Sequence, residues 1–499
     1  MIAGRPWRLL LQVLPMVALA AAALPAQLLP DAPPERCSAM SRSPDARAWL
    51  DRAAALVLPS SPEGRVLTYR ATHDQPLWEQ SDRMYEPFIP NARETVRWYD
   101  PASGIEGRQS PAGTRTPGRR AQQAYSSTAA FVGADSGFRP VPGFMPFAAV
   151  YARLNPWMVL REWRDGAAAV RVRERCFFRD ASRVVLERAG ERLYLSEADA
   201  MPVKLERIEP HYLWGQLKAE YLWNTWWGVA AAGKVDGFYP LAAFRVMDGV
   251  TYDRVGVDFQ SPALVVADSA PSVAVPTVAA MNDRLLIASP MPDTLRVGER
   301  TFLLTNPVYN EVMTLQADTV FLLDATTSEE RARQDSTWIS RLFPGRHPVA
   351  VVVTDLAWPH ISGVRFWVAR GGVVYSHADS RDFLQRVINR RWTRSPDALE
   401  ATRPRATLRG RFFRDSLRLA KGGMVLHALR GTTTEGAIGA WLRSDRFFWA
   451  GDYVQGTPTS PYVRDVIRTI RHLGLDPALV GGQHVKPVDW PALREQLRP

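Results

Sequence analysis

The stretch Val349-Ala-Val-Val-Val-Thr354-Asp355-Leu-Ala357-Trp-Pro359-His360-Ile-Ser-Gly363 decides how the second half of this chain is read. It opens as a nearly unbroken β-branched run, the signature of a strand buried on both faces. The run stops at Thr354 and turns through Pro359. A helix is expected to resume near Ile361. A loop leaving the C-terminal end of a buried strand is where α/β proteins commonly place chemistry. This one carries a carboxylate at Asp355 and an imidazole at His360.

Around this loop, strands and helices alternate from about residue 283. Val308–Leu315 and Thr319–Asp324 read as paired strands, and Ser328–Leu342 has helical spacing. Val364–Ala369 reads as helix, Val373–Ser376 as strand and Arg381–Arg390 as helix. Strands return over 407–428 and 437–450. A helix over Tyr462–Leu473, a strand at Ala478–Val480 and a helix after Asp489 complete the chain. Two β halves flanked by helices suit a four-layer αββα sandwich.

The order of motifs in this half resembles the metallo-β-lactamase fold. The opening stretch fits that family's strand ending in Thr-His-x-His-x-Asp-His-x-x-Gly, through Thr354, His360 and Gly363. Asp324 fits the Asp that closes an early strand, and Gly371–His377 fits the next strand. Gly431-Thr-Thr433-Thr-Glu-Gly436 fits the Gly-x-His-Thr-Pro-Gly turn. Phe448–Asp452 fits the segment with the bridging Asp, and Gln483-His484-Val485-Lys-Pro-Val fits the late Gly-His-Gly-x-Pro-Val.

The resemblance implies two metal sites, and this chain departs from both. At the first, Asp355, Ala357 and Thr433 replace three His. Ala has no donor atom, and a neutral hydroxyl is a poor ligand beside imidazole. At the second, Pro359 replaces an Asp, whereas His360, His484 and the bridging Asp452 remain.

Two readings of these survivors stay open. In one, His360, Asp452 and His484, with Asp355 as a further oxygen donor, hold a single Zn or Fe with open positions. That would be a mononuclear hydrolase of esters, lactones or amides, with Asp355 and Asp452 as its catalytic carboxylates and a metal-bound water as nucleophile. In the other, there is no cofactor. The scaffold has outlived its chemistry, the same side chains hydrogen-bond one another, and the protein is a non-catalytic binding or envelope protein. His347, His377, His427 and His472 fall outside the family's ligand positions and read as structural or solvated.

The first half reads differently. Residues 1–30 look like an export signal: Arg5 and Arg8 precede an apolar run, and Ala23-Leu-Pro-Ala26 offers small residues for cleavage. Export to the periplasm or medium is the expected localisation, an uncleaved anchor being the alternative. Residues 40–260 read as an antiparallel β-rich domain after a short helix over 44–57. Within it, 101–140 is rich in Gly, Pro, Ser and Arg and is expected to be a flexible loop. Phe147–Arg164 reads as helix broken at Pro156.

The long strands from Val170 to Phe259 weakly resemble the half-barrel of periplasmic lipoprotein carriers. That implies an apolar cavity lined by Trp214, Trp223, Trp226 and Trp227, the alternative being ordinary sheet core. His73 and His211 are isolated. Residues 261–282, punctuated by proline, are expected to link this domain to the one over 283–499.

At 499 residues the chain is too long for one core. Cys37 and Cys176 are the only cysteines, and an oxidising compartment would allow them to pair. The net charge of +11 would suit nucleic acid, but the basic residues are nearly all arginines scattered among acids. No nucleic-acid partner is expected, and a small-molecule or apolar ligand is. The sequence does not specify an oligomeric state.

Overall fold

The computed structural model describes residues 35–40, 45–60, 64–76, 90–109, 122–126, 130–134, 137–140, 145–179, 181–231, 233–266, 291–305, 309–403, 407–431, 436–454 and 460–495. The expected export signal at 1–30 and Thr433 lie outside this set. Among the described residues no helix is long and apolar enough to cross a membrane.

The N-terminal half is one large sheet, fifteen strands among the described residues. Its centre is a run of long antiparallel strands, Pro202–His211, Gly215–Ala231, Lys234–Met247 and Val250–Val257. Three helices cover one face: α1 (Ala46–Val57), α2 (Met145–Leu154) and α3 (Pro156–Asp165). Asp45 caps α1 through Arg47 N (2.8 Å), and Asn155 caps α3 through Trp157 N (2.9 Å), with Pro156 at the first position of α3 where its missing N–H costs nothing.

These helices pack on the sheet through one core. Trp157, Trp163 and Trp223 are fully buried there, and Trp223 Nε1 donates to Leu154 O (3.2 Å). Trp226 packs at the edge of this core, Trp227 is half exposed against Phe259, and Trp214 packs against this core and against Phe383 of the C-terminal half. Sheet core, the alternative reading, describes Trp223, with Trp214 and Trp226 packed against the same cluster.

Two sequence expectations are corrected here. Part of 101–140 is not loop: Ile105–Gln109, Gln122–Tyr125, Ala130–Ala134 and Gly137–Pro140 extend the sheet as successive antiparallel strands. Cross-strand pairing overrides a loop-like composition. Likewise, Ala263–Val266 is not linker but a strand paired with Arg65–Asp74 and, at Ala263, with Ala230.

Cys37 and Cys176 form a disulfide that ties the edge strand Arg36–Ala39 to Arg171–Phe178. Many arginines and lysines of the sheet pair with acids on neighbouring strands: Arg171 and Arg173 with Glu187, Lys218 with Glu206 and Glu220, Arg245 with Asp253. His73 and His211 are part of this buried polar fabric. His73 Nε2 lies 2.9 Å from Asp253 Oδ1, and His211 Nδ1 accepts from Leu213 N (3.1 Å).

The C-terminal half packs two sheets face to face. The first has seven strands, antiparallel from Asp293–Arg296 to Thr319–Leu323, then parallel through Val349–Val352, Val373–His377 and Arg409–Phe413. The second has six, from Ser416–Leu419 to Val485–Asp489. Leu303, Val312, Phe321, Leu323 and Val352 of the first meet Leu426, Ile438, Ala440, Phe447 and Trp449 of the second in a dry core.

Helices cover both outer faces. On the first sheet lie α4 (Glu329–Leu342), α5 (Trp358–Ile361), α6 (Val364–Ala369), α7 (Arg381–Asn389) and α8 (Ala398–Thr402). On the second lie α9 (Pro461–His472) and α10 (Trp490–Glu495). The order of layers is helix, sheet, sheet, helix, as the alternation of elements predicts.

The two halves interlock through the turn between Pro202–His211 and Gly215–Ala231. Leu213 at its tip is buried in the C-terminal core. Tyr212 lies on Trp358 (ring centroids 4.5 Å apart), and Arg390 Nε donates to Trp214 O (3.1 Å).

Candidate functional site

The site forms where the two inner sheets meet, at the C-terminal end of the central strand Val349–Val352. Asp324, just past strand Thr319–Leu323, organises it. Its backbone is left-handed (φ 78°), a conformation Asp tolerates better than most residues. One carboxylate oxygen accepts Thr354 N (3.0 Å) and Thr354 Oγ1 (2.7 Å), and the other accepts Trp449 Nε1 (3.2 Å). Thr354 O in turn accepts Ile438 N of the second sheet (2.8 Å). Gly451, at φ 55°, passes so close to Thr354 that a Cβ would lie 2.3 Å from its Oγ1, so only glycine fits.

His360 sits in α5, fully buried. Its Nδ1 lies 3.1 Å from Asp324 Oδ2 and 3.2 Å from Thr354 Oγ1. Its Nε2 lies 3.3 Å from Asp355 Oδ2. The ring thus lies between two carboxylates, with contacts from Asp324 and Thr354 at Nδ1, while the buried Nε2 makes no hydrogen bond. Burial alone would lower its pKa, but Asp355 and Asp324 outweigh it and push the imidazole up to about 10. Asp355 caps the turn into α5, accepting Ala357 N at 2.7 Å. Burial, reinforced by Asp452 and Asp324 and opposed by His360, raises Asp355 to about 7.

His484 and Asp452 form a second pair. His484 Nε2 lies 2.9 Å from Asp452 Oδ1, both side chains about one-third exposed. Asp452 lies in the turn after Phe447–Trp449, and His484 in the hairpin between Leu479–Gly482 and Val485–Asp489. The Tyr309 ring packs 5.0 Å from His484, its hydroxyl pushed up to about 12 by burial and the Asp452 charge. The Asp452 charge also bears on Asp355 and His360, which places the two pairs in one neighbourhood.

The sequence-predicted residues are therefore brought into one neighbourhood but not onto one point. Among the described residues, no three ligand atoms from His360, Asp355, Asp452 and His484 lie within 4.8 Å of one another. The grouping that does meet this distance is Glu35 with Cys37 and Cys176, and those sulfurs are spent in the disulfide. A donor set for a divalent ion needs three or four converging lone pairs. Here His360 Nε2, buried and without a hydrogen bond, has Asp355 Oδ2 at 3.3 Å but no third donor within 4.8 Å of both. As placed here, the four side chains do not form a converging set of three donors.

Sequence reasoning missed several contributors. Gln483 is fully buried and reaches Pro359 O with its amide (3.5 Å), and Trp449 braces Asp324. Tyr309 walls the second pair, and the 212–214 turn supports α5 from the other half of the chain. One signal was available. Arg331 and Asp335 stand four apart on the apolar side of α4, where charges are out of place unless partnered.

No protein-family model and no curated protein sequence matches the chain. Among solved structures, it is similar to the DIM-1 metallo-β-lactamase at 15% identity, covering 42% of this chain and 96% of that one with a TM-score of 0.33. It is similar to the metallo-β-lactamase from Hirschia baltica at 12% identity, covering 41% and 95% with a TM-score of 0.32. For the metallo-β-lactamase from Erythrobacter litoralis the values are 16%, 42%, 97% and 0.32.

Proposed function

We propose that this is an exported, two-domain protein whose C-terminal domain has a metallo-β-lactamase-like fold converted from metal-dependent catalysis to binding. The layer order and the sequence of motifs from Asp324 to His484 support the fold. The apolar run at residues 1–30 supports export, and the separate cores of the two halves support the domain division.

One observation carries the functional reading. His360 lies between Asp324 and Asp355, with Thr354 on the same side as Asp324. An imidazolium so placed stabilises the loop at the head of the central strand. Doubly protonated, it would have no lone pair for a metal. What remains accessible is the His484–Asp452 pair, about one-third exposed, a polar rim suited to hydrogen-bonding a small molecule.

The test is metal content of the purified mature protein by mass spectrometry, before and after incubation with excess Zn and then desalting. A His360→Ala/His484→Ala variant runs alongside. Sub-stoichiometric metal in all samples, with no turnover of ester or lactone substrates, is expected. One equivalent of Zn or Fe in the parent, lost in the variant, would overturn the proposal in favour of a mononuclear hydrolase.

A further inference from the structure

Behind the His360 pocket lie three ionisable side chains with no solvent exposure at all. Glu311 opens strand Glu311–Gln316, and Arg331 and Asp335 sit one turn apart on the inner side of α4. Arg331 Nε donates to Asp335 Oδ1 (2.8 Å). Glu311 Oε2 accepts both Thr326 Oγ1 (2.7 Å) and Thr326 N (3.3 Å), with Arg331 Nη2 at 3.7 Å. The other oxygen of each acid, Glu311 Oε1 and Asp335 Oδ2, is buried and receives no hydrogen bond from any protein donor. One guanidinium thus faces two carboxyl groups in a sealed site. With both acids ionised, one negative charge would be left uncompensated at a cost of several kcal/mol.

We propose that Glu311 and Asp335 share a single proton, carried by Glu311, and that this neutral Glu311 is the positioning residue for the turn that holds the His360 pocket. The shared proton gives both otherwise unserved oxygens a partner and leaves the triad electrically neutral. The proton belongs to Glu311 because Asp335 already has the Arg331 Nε bond. Burial and the neighbouring Asp335 both favour the protonated form of Glu311. From α4, Arg331 and Asp335 face Glu311. From the turn, Thr326 does, and its partner on the adjoining strand is the uncharged Leu304.

The turn matters because of what it holds. Two of its residues, Asp324 and Thr327, are non-glycine residues in the left-handed region, a conformation that persists only when the surroundings enforce it. Thr326 is fastened to Glu311. On either side, Ala325 N donates to His360 O (2.9 Å) and Thr327 N to Pro359 O (3.1 Å). Loss of the proton would set two carboxylates against each other directly beneath this turn.

The experiment is infrared spectroscopy of the full chain at pH 9, where Asp355 is ionised, combined with selective NMR of the His360 ring. A protonated-carboxyl band of one group per chain is expected in the parent, with a shift in D₂O. In Glu311→Gln, whose amide keeps a donor in place, the band should vanish while fold and His360 resonance stay. In Glu311→Ala the His360 resonance should move. A folded parent with no such band, or a band that survives in Glu311→Gln, would overturn the shared proton. A His360 resonance unchanged in folded Glu311→Ala would overturn the positioning role. If the Ala variant does not fold, the Gln variant still decides the proton.

Discussion

At the residue scale, His360 is defined by its neighbours. Pro359 and Ala357 bring no donors, and Asp355 brings a carboxylate to the face of the ring opposite Asp324. Both titrating groups then favour retaining protons in the native state. His360, held up to about 10 against an unfolded value near 6.5, contributes stability that is fully present below pH 6.5 and lost as pH rises to 10. Asp355, held up to about 7, adds a penalty that develops between its ordinary value of 3.8 and 7. Urea denaturation at pH 6 and pH 9 should therefore show a fall in stability, on the order of 2 kcal/mol from this site. His360→Gln should flatten that fall. An equal pH dependence in parent and variant would show that His360 is neutral in the native state.

The identities of Asp324, His360, Asp452 and His484 were legible in the sequence, as was the loss of donors at Ala357 and Pro359. The pairing of these residues was not. Whether an imidazole turns toward a metal position or toward two carboxylates depends on contacts such as Thr354 Oγ1 and Gly451, which lie far apart in the chain and meet only after the sheets pack.

At the scale of elements, the central strand and helices α4, α6, α7 and α9 follow from runs and periods that local chemistry sets. Strands over 105–140 do not, because Gly- and Arg-rich edge segments acquire their conformation from the ladder they join. The turn at 212–214 is a further case. Its Trp214 reads as lining for a cavity in the sheet, whereas the neighbouring Leu213 is buried in the other half's core. Leu213→Ala should cost about 2–5 kcal/mol. It should also lower the unfolding midpoint reported by tryptophans of the C-terminal half, such as Trp449. A loss confined to the N-terminal sheet in segment-resolved hydrogen exchange would contradict this account of the turn.

At the scale of the whole molecule, the two halves are separately cored but not independent. A fragment of residues 291–499 would leave uncovered the apolar seat of Leu213 and the upper face of Trp358. It should be less stable and more prone to aggregate than the same residues in the full chain, as thermal unfolding of each would show. The disulfide acts at the opposite end. It closes a sequence separation of 139 residues within the N-terminal sheet, so its loss in Cys37→Ser/Cys176→Ser should cost about 3–5 kcal/mol. The His360 environment should be unaffected.

The protonation state of the His360 ring tests the central claim most directly. Nitrogen NMR of selectively labelled histidine, assigned with His360→Gln, distinguishes an imidazolium from a neutral or metal-bound ring. The account predicts that both His360 nitrogens stay protonated from pH 6 to 8.5 and do not respond to added Zn. A neutral ring at pH 7.5, or a nitrogen resonance that shifts stoichiometrically with Zn, would contradict it and restore His360 as a metal ligand.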